Sequence, residues 1–160
     1  ILLDEPTMLT INPEWTDEKR LQMAALFTSD ELWKSCNDLE GPDGINVTDK
    51  FVRNLLSPQL TEDEQKWIVD ENLKMPRWAA ARLLYNHSSQ DWSCVIPRID
   101  IPALVIEGRA SRCPWQGQQW IHEQIAGSRL CIFEEDEGGH HFMFMENPEK
   151  FNAEIRAFLT

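Results

Sequence analysis

The chain has 160 residues, 42% of them hydrophobic, and a formal net charge of −12 at pH 7. That length and composition suffice for a globular domain with a buried core, and they exclude an intrinsically disordered chain. The negative charge disfavours nucleic acid and anionic membranes as partners, and no apolar run approaches the roughly 18 residues that a membrane-spanning helix needs.

An apolar run at the start of the chain, Ile1–Leu3, predicts a short β-strand that ends at Asp4. The sequence has no initiating Met, and a natural N-terminus rarely falls inside a strand. We therefore expect upstream residues, either in a longer precursor or on a second polypeptide. Residues 1–11 are predicted to contribute one strand and a loop to a larger core.

Residues 12–93 have the apolar spacing of α-helices rather than of strands. Three local signals mark helix starts, namely a cap followed by proline and two capping boxes, at Asn12-Pro13, Thr28–Glu31 and Thr61–Glu64. The pattern predicts a set of short, amphipathic, tryptophan-rich helices.

Residues 94–160 change to an alternation of strands and helices. The β-rich run Ile101–Ile106 is typical of a strand buried on both faces of a parallel sheet. A helix is predicted from Pro114 to Ile125, a second strand over Leu130–Phe133 and a last helix over Pro148–Leu159, with Phe151, Ile155, Phe158 and Leu159 on its apolar face. So few parallel strands would leave unpaired sheet edges, and this again predicts that part of the sheet lies elsewhere.

The cysteines lie far apart, without C-x-x-C spacing, at Cys36, Cys94, Cys113 and Cys131. Together with the histidines they match no zinc-ligand pattern, so neither a metal nor another cofactor is predicted. Free thiols are typical of a reducing compartment, and no signal peptide is recognised. The sequence therefore predicts a cytoplasmic protein.

A histidine loop, Gly138–Phe142, follows the second of these predicted strands and precedes the last helix. A glycine-rich turn at the carboxyl edge of a parallel sheet is a suitable place to present a catalytic imidazole, because glycine lets the loop turn tightly there. No Gly-x-Ser-x-Gly nucleophile motif occurs in the chain. The sequence thus predicts half of a catalytic machinery.

Four motifs in order, Ile101–Gly108, Gly127–Leu130, Gly139–Phe142 and Glu146–Phe151, resemble the C-terminal portion of the α/β-hydrolase superfamily. The resemblance implies an α/β chain with a partial α/β-hydrolase fold. Residues 1–11 would be its sixth strand, residues 12–93 its helical cap insertion and residues 94–160 its last two strands and helices. The N-terminal half of the sheet, including the nucleophile, would lie upstream.

The resemblance selects His141 as the catalytic histidine, because the family places it seven residues before the proline of the last helix, here Pro148. His140 would then be a neighbour in the loop. The catalytic acid departs from the family pattern, since Ser111 stands where an Asp is usual. Some branches place the acid after the sixth strand, which favours Asp4, with Glu5 and Glu107 as alternatives.

The resemblance implies that His141 acts as a general base toward an upstream serine and that Asp4 orients it. The expected substrate is a small ester, thioester or lactone, and the chain alone is expected to be inactive. A homo-oligomer is possible. The candidate pocket residues, all aromatic, are Trp15, Trp33, Trp67, Trp78, Trp115 and His140.

Other chemistry is compatible with the same resemblance. An acid placed after the sixth strand is also a feature that resembles haloalkane dehalogenases and cofactor-free dioxygenases. Haloalkane dehalogenases and epoxide hydrolases use an Asp nucleophile. A non-catalytic binding module or a hydrolase relic is a further alternative, because the usual acid is absent at Ser111.

Overall fold

A computed structural model describes residues 1–160. Its centre is a three-stranded parallel sheet with the strand order β1-β2-β3. The strands are β1 (Leu2–Leu3), β2 (Leu104–Gly108) and β3 (Arg129–Phe133). The predicted α/β class and the parallel sheet are therefore confirmed.

The central strand β2 is buried on both faces, because helices cover the sheet on each side. Val105 packs against α6 (Trp115–Gln124) and its C-terminal end, through Ile121 and Ile125. On the opposite face, Leu104 and Ile106 pack with Phe133, Met143 and three apolar residues of α8 (Pro148–Leu159), which are Phe151, Ile155 and Phe158.

Two sequence predictions in this half are wrong in detail. The strand begins at Leu104 rather than at Ile101, whose side chain is 67% exposed. Pro102 has no N–H for the sheet ladder, so pairing starts only after it. Leu159 was predicted on the buried face of α8 but is 72% exposed, because it is the last residue of the helix.

Five helices form the cap between β1 and β2. They are α1 (Asp17–Met23), α2 (Ser29–Glu40), α3 (Gly44–Arg53), α4 (Glu62–Leu73) and α5 (Arg77–Ser88). Both predicted capping boxes are present, at the starts of α2 and α4. The predicted helix start at Asn12-Pro13 is wrong, because Asn12 caps a turn by accepting the Glu14 N–H, and α1 begins after Thr16.

The cap is attached to the sheet through α7 (Met143–Glu146), directly after the histidine loop. Phe142 and Met145 pack against an apolar cluster of the cap, formed by Val52, Leu56, Ile68 and Val69. The Glu146 carboxylate accepts the Ser57 N–H at 3.2 Å. The segment that carries the histidines is therefore one of the contacts that hold the cap in place, alongside the packing of α1 against α6. No helix is both long and apolar enough to cross a bilayer.

Candidate active site

Asp4 and His141 form a short hydrogen-bonded pair at the carboxyl edge of the sheet. The His141 Nδ1 lies 2.6 Å from Asp4 Oδ2. The Asp4 side chain is fully buried, whereas the His141 side chain is 35% exposed. A carboxylate that accepts from Nδ1 fixes the imidazole tautomer and leaves a lone pair on Nε2. The His141 Nε2 makes no hydrogen bond within the chain, so the ring is oriented for proton transfer at that atom.

Asp4 is held in place by its backbone and by Ser111. Its φ angle is +47°, in the left-handed region that Asp tolerates better than most residues. The Ser111 hydroxyl donates a hydrogen bond of 2.6 Å to Asp4 Oδ2, the oxygen that also accepts from His141. Ser111, at the position where the resemblance places an acid, thus donates to the carboxylate that follows the neighbouring strand.

Two glycines allow the histidine loop to reach Asp4. Asp4 follows β1 and His141 follows β3, so the loop must cross the end of β2, which lies between them. A Cβ on Gly108 would lie 2.3 Å from the Gly139 carbonyl oxygen, and one on Gly139 would lie 2.1 Å from the Phe133 oxygen. Only backbone without side chains fits this crossing.

The two alternative acids have other partners. The Glu5 carboxylate lies 3.5 Å from His87 Nδ1 at the surface. Glu107 is completely buried and contacts Asp4 rather than His141. Burial first, then repulsion from and hydrogen bonding to Asp4, raise the pKa of Glu107 to about 10.

Cys113 is a buried thiol next to Asp4 that sequence reasoning did not single out. Burial, followed by the nearby carboxyl groups of Asp4 and Glu107, raises the pKa of its thiol well above the ordinary value. A thiol in such surroundings stays protonated and is a poor nucleophile. Its role here is to pack against the carboxyl groups.

A cavity of about 660 Å³ opens between the sheet edge and the cap. Asp4, Cys113 and His141 line it from the sheet. The cap contributes a mostly apolar wall that includes Leu39, Phe51, Val52, Leu55, Leu83 and Leu84. Such a volume and lining suit a small, largely apolar ligand.

None of the five predicted pocket tryptophans lines this cavity. Trp33, Trp67 and Trp78 are each more than half exposed, and Trp115 lies under the Arg109 guanidinium, 4.2 Å from the ring centre. Trp15 is likewise outside the cavity. The wall is formed mainly by leucines and phenylalanines instead. Their helical spacing in the sequence is the same as that of residues on the buried face of any helix, so it does not mark them as pocket residues.

His140 also lies outside the cavity. Its Nδ1 is 3.3 Å from Glu146 Oε2, and both side chains are largely buried. The two adjacent histidines therefore have different carboxylate neighbours, and only His141 contacts Asp4.

The structure is similar to those of several solved enzymes. It matches an esterase from Exiguobacterium antarcticum with a TM-score of 0.80 and 21% identity, and a bromoperoxidase from Bacillus anthracis with 0.81 and 16%; each match covers 96% of this chain and 54% of the other. An enol-lactonase from Burkholderia xenovorans LB400 matches with a TM-score of 0.73 and 20% identity, over 85% of this chain and 52% of the other.

No protein-family model and no curated protein sequence matches the chain. At such low identities the structural matches show the fold, and the chain spans about half the length of the proteins it matches. The chain therefore has a partial α/β-hydrolase fold, made of three parallel strands and a helical cap.

Proposed function

We propose that this chain supplies the histidine and the acid of a hydrolase that cleaves a carboxylic ester, thioester or lactone. His141 would take the proton of an upstream serine through Nε2 and return it to the leaving group, while Asp4 orients the ring and stabilises its charged form. The observation that carries the proposal is the 2.6 Å contact between Asp4 and His141, at the mouth of a mostly apolar cavity.

The similar structures include an esterase and an enol-lactonase, which supports acyl chemistry of this kind. The nucleophile and the oxyanion donors would come from a segment outside these 160 residues. No serine of the chain forms a hydrogen bond with His141, so we expect the chain alone to be inactive. The predicted cytoplasmic location, the homo-oligomer and the binding of a small-molecule substrate belong to the same proposal.

The first experiment is mass analysis and N-terminal sequencing of the natural protein, followed by labelling with a serine-reactive phosphonate and assays on activated esters, thioesters and lactones. The proposal predicts an upstream or partner segment with a nucleophile motif, a labelled serine and hydrolysis. Release of halide, opening of an epoxide or consumption of oxygen would instead indicate the related chemistries. A protein that neither reacts with the phosphonate nor hydrolyses an ester would be a binding module or a relic.

A further inference from the structure

Glu107 and Asp4 form a buried pair of carboxyl groups that the general mechanism of the site does not require. The Asp4 N–H donates to the Ile106 carbonyl at 2.9 Å, which continues the parallel register of Leu3 with Ile106. Asp4 therefore stands opposite Glu107 on the neighbouring strand. Glu107 is 0% exposed and Asp4 is 2% exposed.

One oxygen of each carboxyl group has no other partner. Glu107 Oε1 accepts the Gly108 N–H at 2.9 Å, and Asp4 Oδ2 is used by His141 and Ser111. Glu107 Oε2 and Asp4 Oδ1 are both buried and accept no hydrogen bond. Two buried acceptors side by side leave a large desolvation cost unless a proton joins them.

The charges around the pair do not relieve this cost. The titratable groups that face it are Cys113 in the loop after β2, His141 beyond Asp4, and Glu5 next in the chain. No lysine or arginine forms an ion pair with either carboxyl group; the one ion-pair partner is His141, on Asp4. Two neighbouring carboxyl groups in such a site share one proton.

We propose that Glu107 is a protonated positioning residue, whose Oε2–H donates a hydrogen bond to Asp4 Oδ1. The pair then holds one proton and one negative charge, and that charge is oriented by three donors, Glu107, Ser111 and His141. The shared proton is a property of the fold itself, whereas the positioning role rests on the proposed function.

The pH dependence of unfolding tests the shared proton without any assay of activity. Because the pKa of Glu107 is raised in the folded protein, its contribution to stability is present below about pH 4.5 and is lost as the pH rises toward about 10. Glu107→Gln has no such proton. The ratio of the unfolding constants of wild type and variant should therefore rise by about tenfold per pH unit between pH 6 and pH 9.

The matched control is Glu137→Gln. Its ion pair and hydrogen bond with Lys150 lower the pKa of Glu137, which is ionised in both states over this interval. The ratio of the unfolding constants of wild type and Glu137→Gln should therefore not change with pH. A ratio for Glu107→Gln that is equally constant would mean that Glu107 is ionised in the folded protein, and the proposal would fall.

Infrared spectroscopy gives a second measurement that does not require a Glu107 variant. The full-length wild-type protein at pH 8 should show the carbonyl stretch of a protonated carboxylic acid. The band should shift when glutamate is labelled with ¹³C, stay in place when aspartate is labelled, and persist in Glu146→Gln, which removes the other largely buried glutamate with a raised pKa. Absence of the band, or a shift with labelled aspartate instead, contradicts the proposal.

The positioning role is tested by kcat and KM in the full-length enzyme. Glu107→Gln retains a donor toward Asp4 and should keep kcat, whereas Glu107→Leu has none and should lower kcat by about tenfold at an unchanged KM. Equal kcat values for the two variants would refute the role. If the protonated pair is found in a protein without ester hydrolysis, then the proposed function fails and the shared proton stands.

Discussion

At the scale of single residues, the proposed chemistry depends most on Asp4. Its buried carboxylate accepts from His141 and Ser111. An amide there has nearly the same shape but no charge, and its N–H₂ group would favour the wrong imidazole tautomer.

We therefore expect Asp4→Asn to lower the kcat of the full-length enzyme by about 10³–10⁴-fold with little effect on folding. The control is Glu5→Gln, since the Glu5 carboxylate is partly exposed and its ion-pair partner is His87; it should change kcat by about twofold or less. Steady-state kinetics on an activated ester would measure both. Full activity in Asp4→Asn would exclude Asp4 as the acid.

The two adjacent histidines give a second prediction at this scale. His141→Gln removes the only imidazole in contact with Asp4 and should abolish turnover while the protein stays folded. His140→Gln removes a neighbour of Glu146 instead, so it should cost about 1 kcal/mol of stability and leave turnover of the folded protein nearly intact. Kinetics combined with urea unfolding separate the two effects, and the reverse result would move the catalytic role to His140.

At the scale of elements, the crossing of the histidine loop over β2 depends on Gly108. An alanine Cβ there would lie 2.3 Å from the Gly139 carbonyl, which is backbone and cannot rotate away. Gly108→Ala should therefore displace the loop, cost about 1–3 kcal/mol of stability and reduce kcat.

The matched control for that variant is Gly41→Ala at the end of α2. A Cβ at Gly41 would lie 3.1 Å from its nearest neighbour, far from the loop, and the φ angle of −70° suits alanine. Gly41→Ala should change the free energy of unfolding slightly and should leave kcat unchanged. Urea unfolding and kinetics measure both variants, and an unaffected Gly108→Ala would show that the loop has another route to Asp4.

The same elements show which local signals in the sequence were sufficient. Both capping boxes and the helix after Pro148 depend on contacts within a few residues, and each was predictable. The helix start at Asn12-Pro13 was wrong because a turn competes for the same residue types. The tryptophans could not be assigned from spacing, since an exposed Trp33 and a buried aromatic residue have the same periodicity.

At the scale of the whole molecule, Glu146 connects the cap to the sheet. Its Oε1 accepts the Ser57 N–H of the cap, and its Oε2 lies 3.3 Å from His140. Burial, offset in part by His140 and Ser57, raises the pKa of Glu146. The carboxyl group therefore belongs to the interface between the two parts rather than to the surface.

Glu146→Ala should leave the Ser57 N–H without its acceptor and destabilise the protein by about 1–3 kcal/mol, and Glu146→Gln should restore part of the loss because its carbonyl still accepts. Hydrogen exchange of the cap amides would measure where protection is lost. The exposed Glu149→Ala on α8 serves as a control with no expected change. If exchange rises equally in the sheet and in the cap, then Glu146 does not act as a link between them.

The sequence by itself determined the parallel strands, the helical insertion and the histidine loop, whereas His141 and Asp4 were selected as base and acid by the family resemblance. These follow from patterns of local period and from the order of motifs along the chain. Only the tertiary structure decided which carboxylate meets His141, because Asp4, Glu5 and Glu107 are separated from it by long stretches of chain and are brought near by strand order alone. The wall of the cavity and the buried contact of Glu107 with Asp4 were decided in the same way. Such contacts depend on packing between segments that are distant in the sequence, and no local sequence pattern predicts that packing.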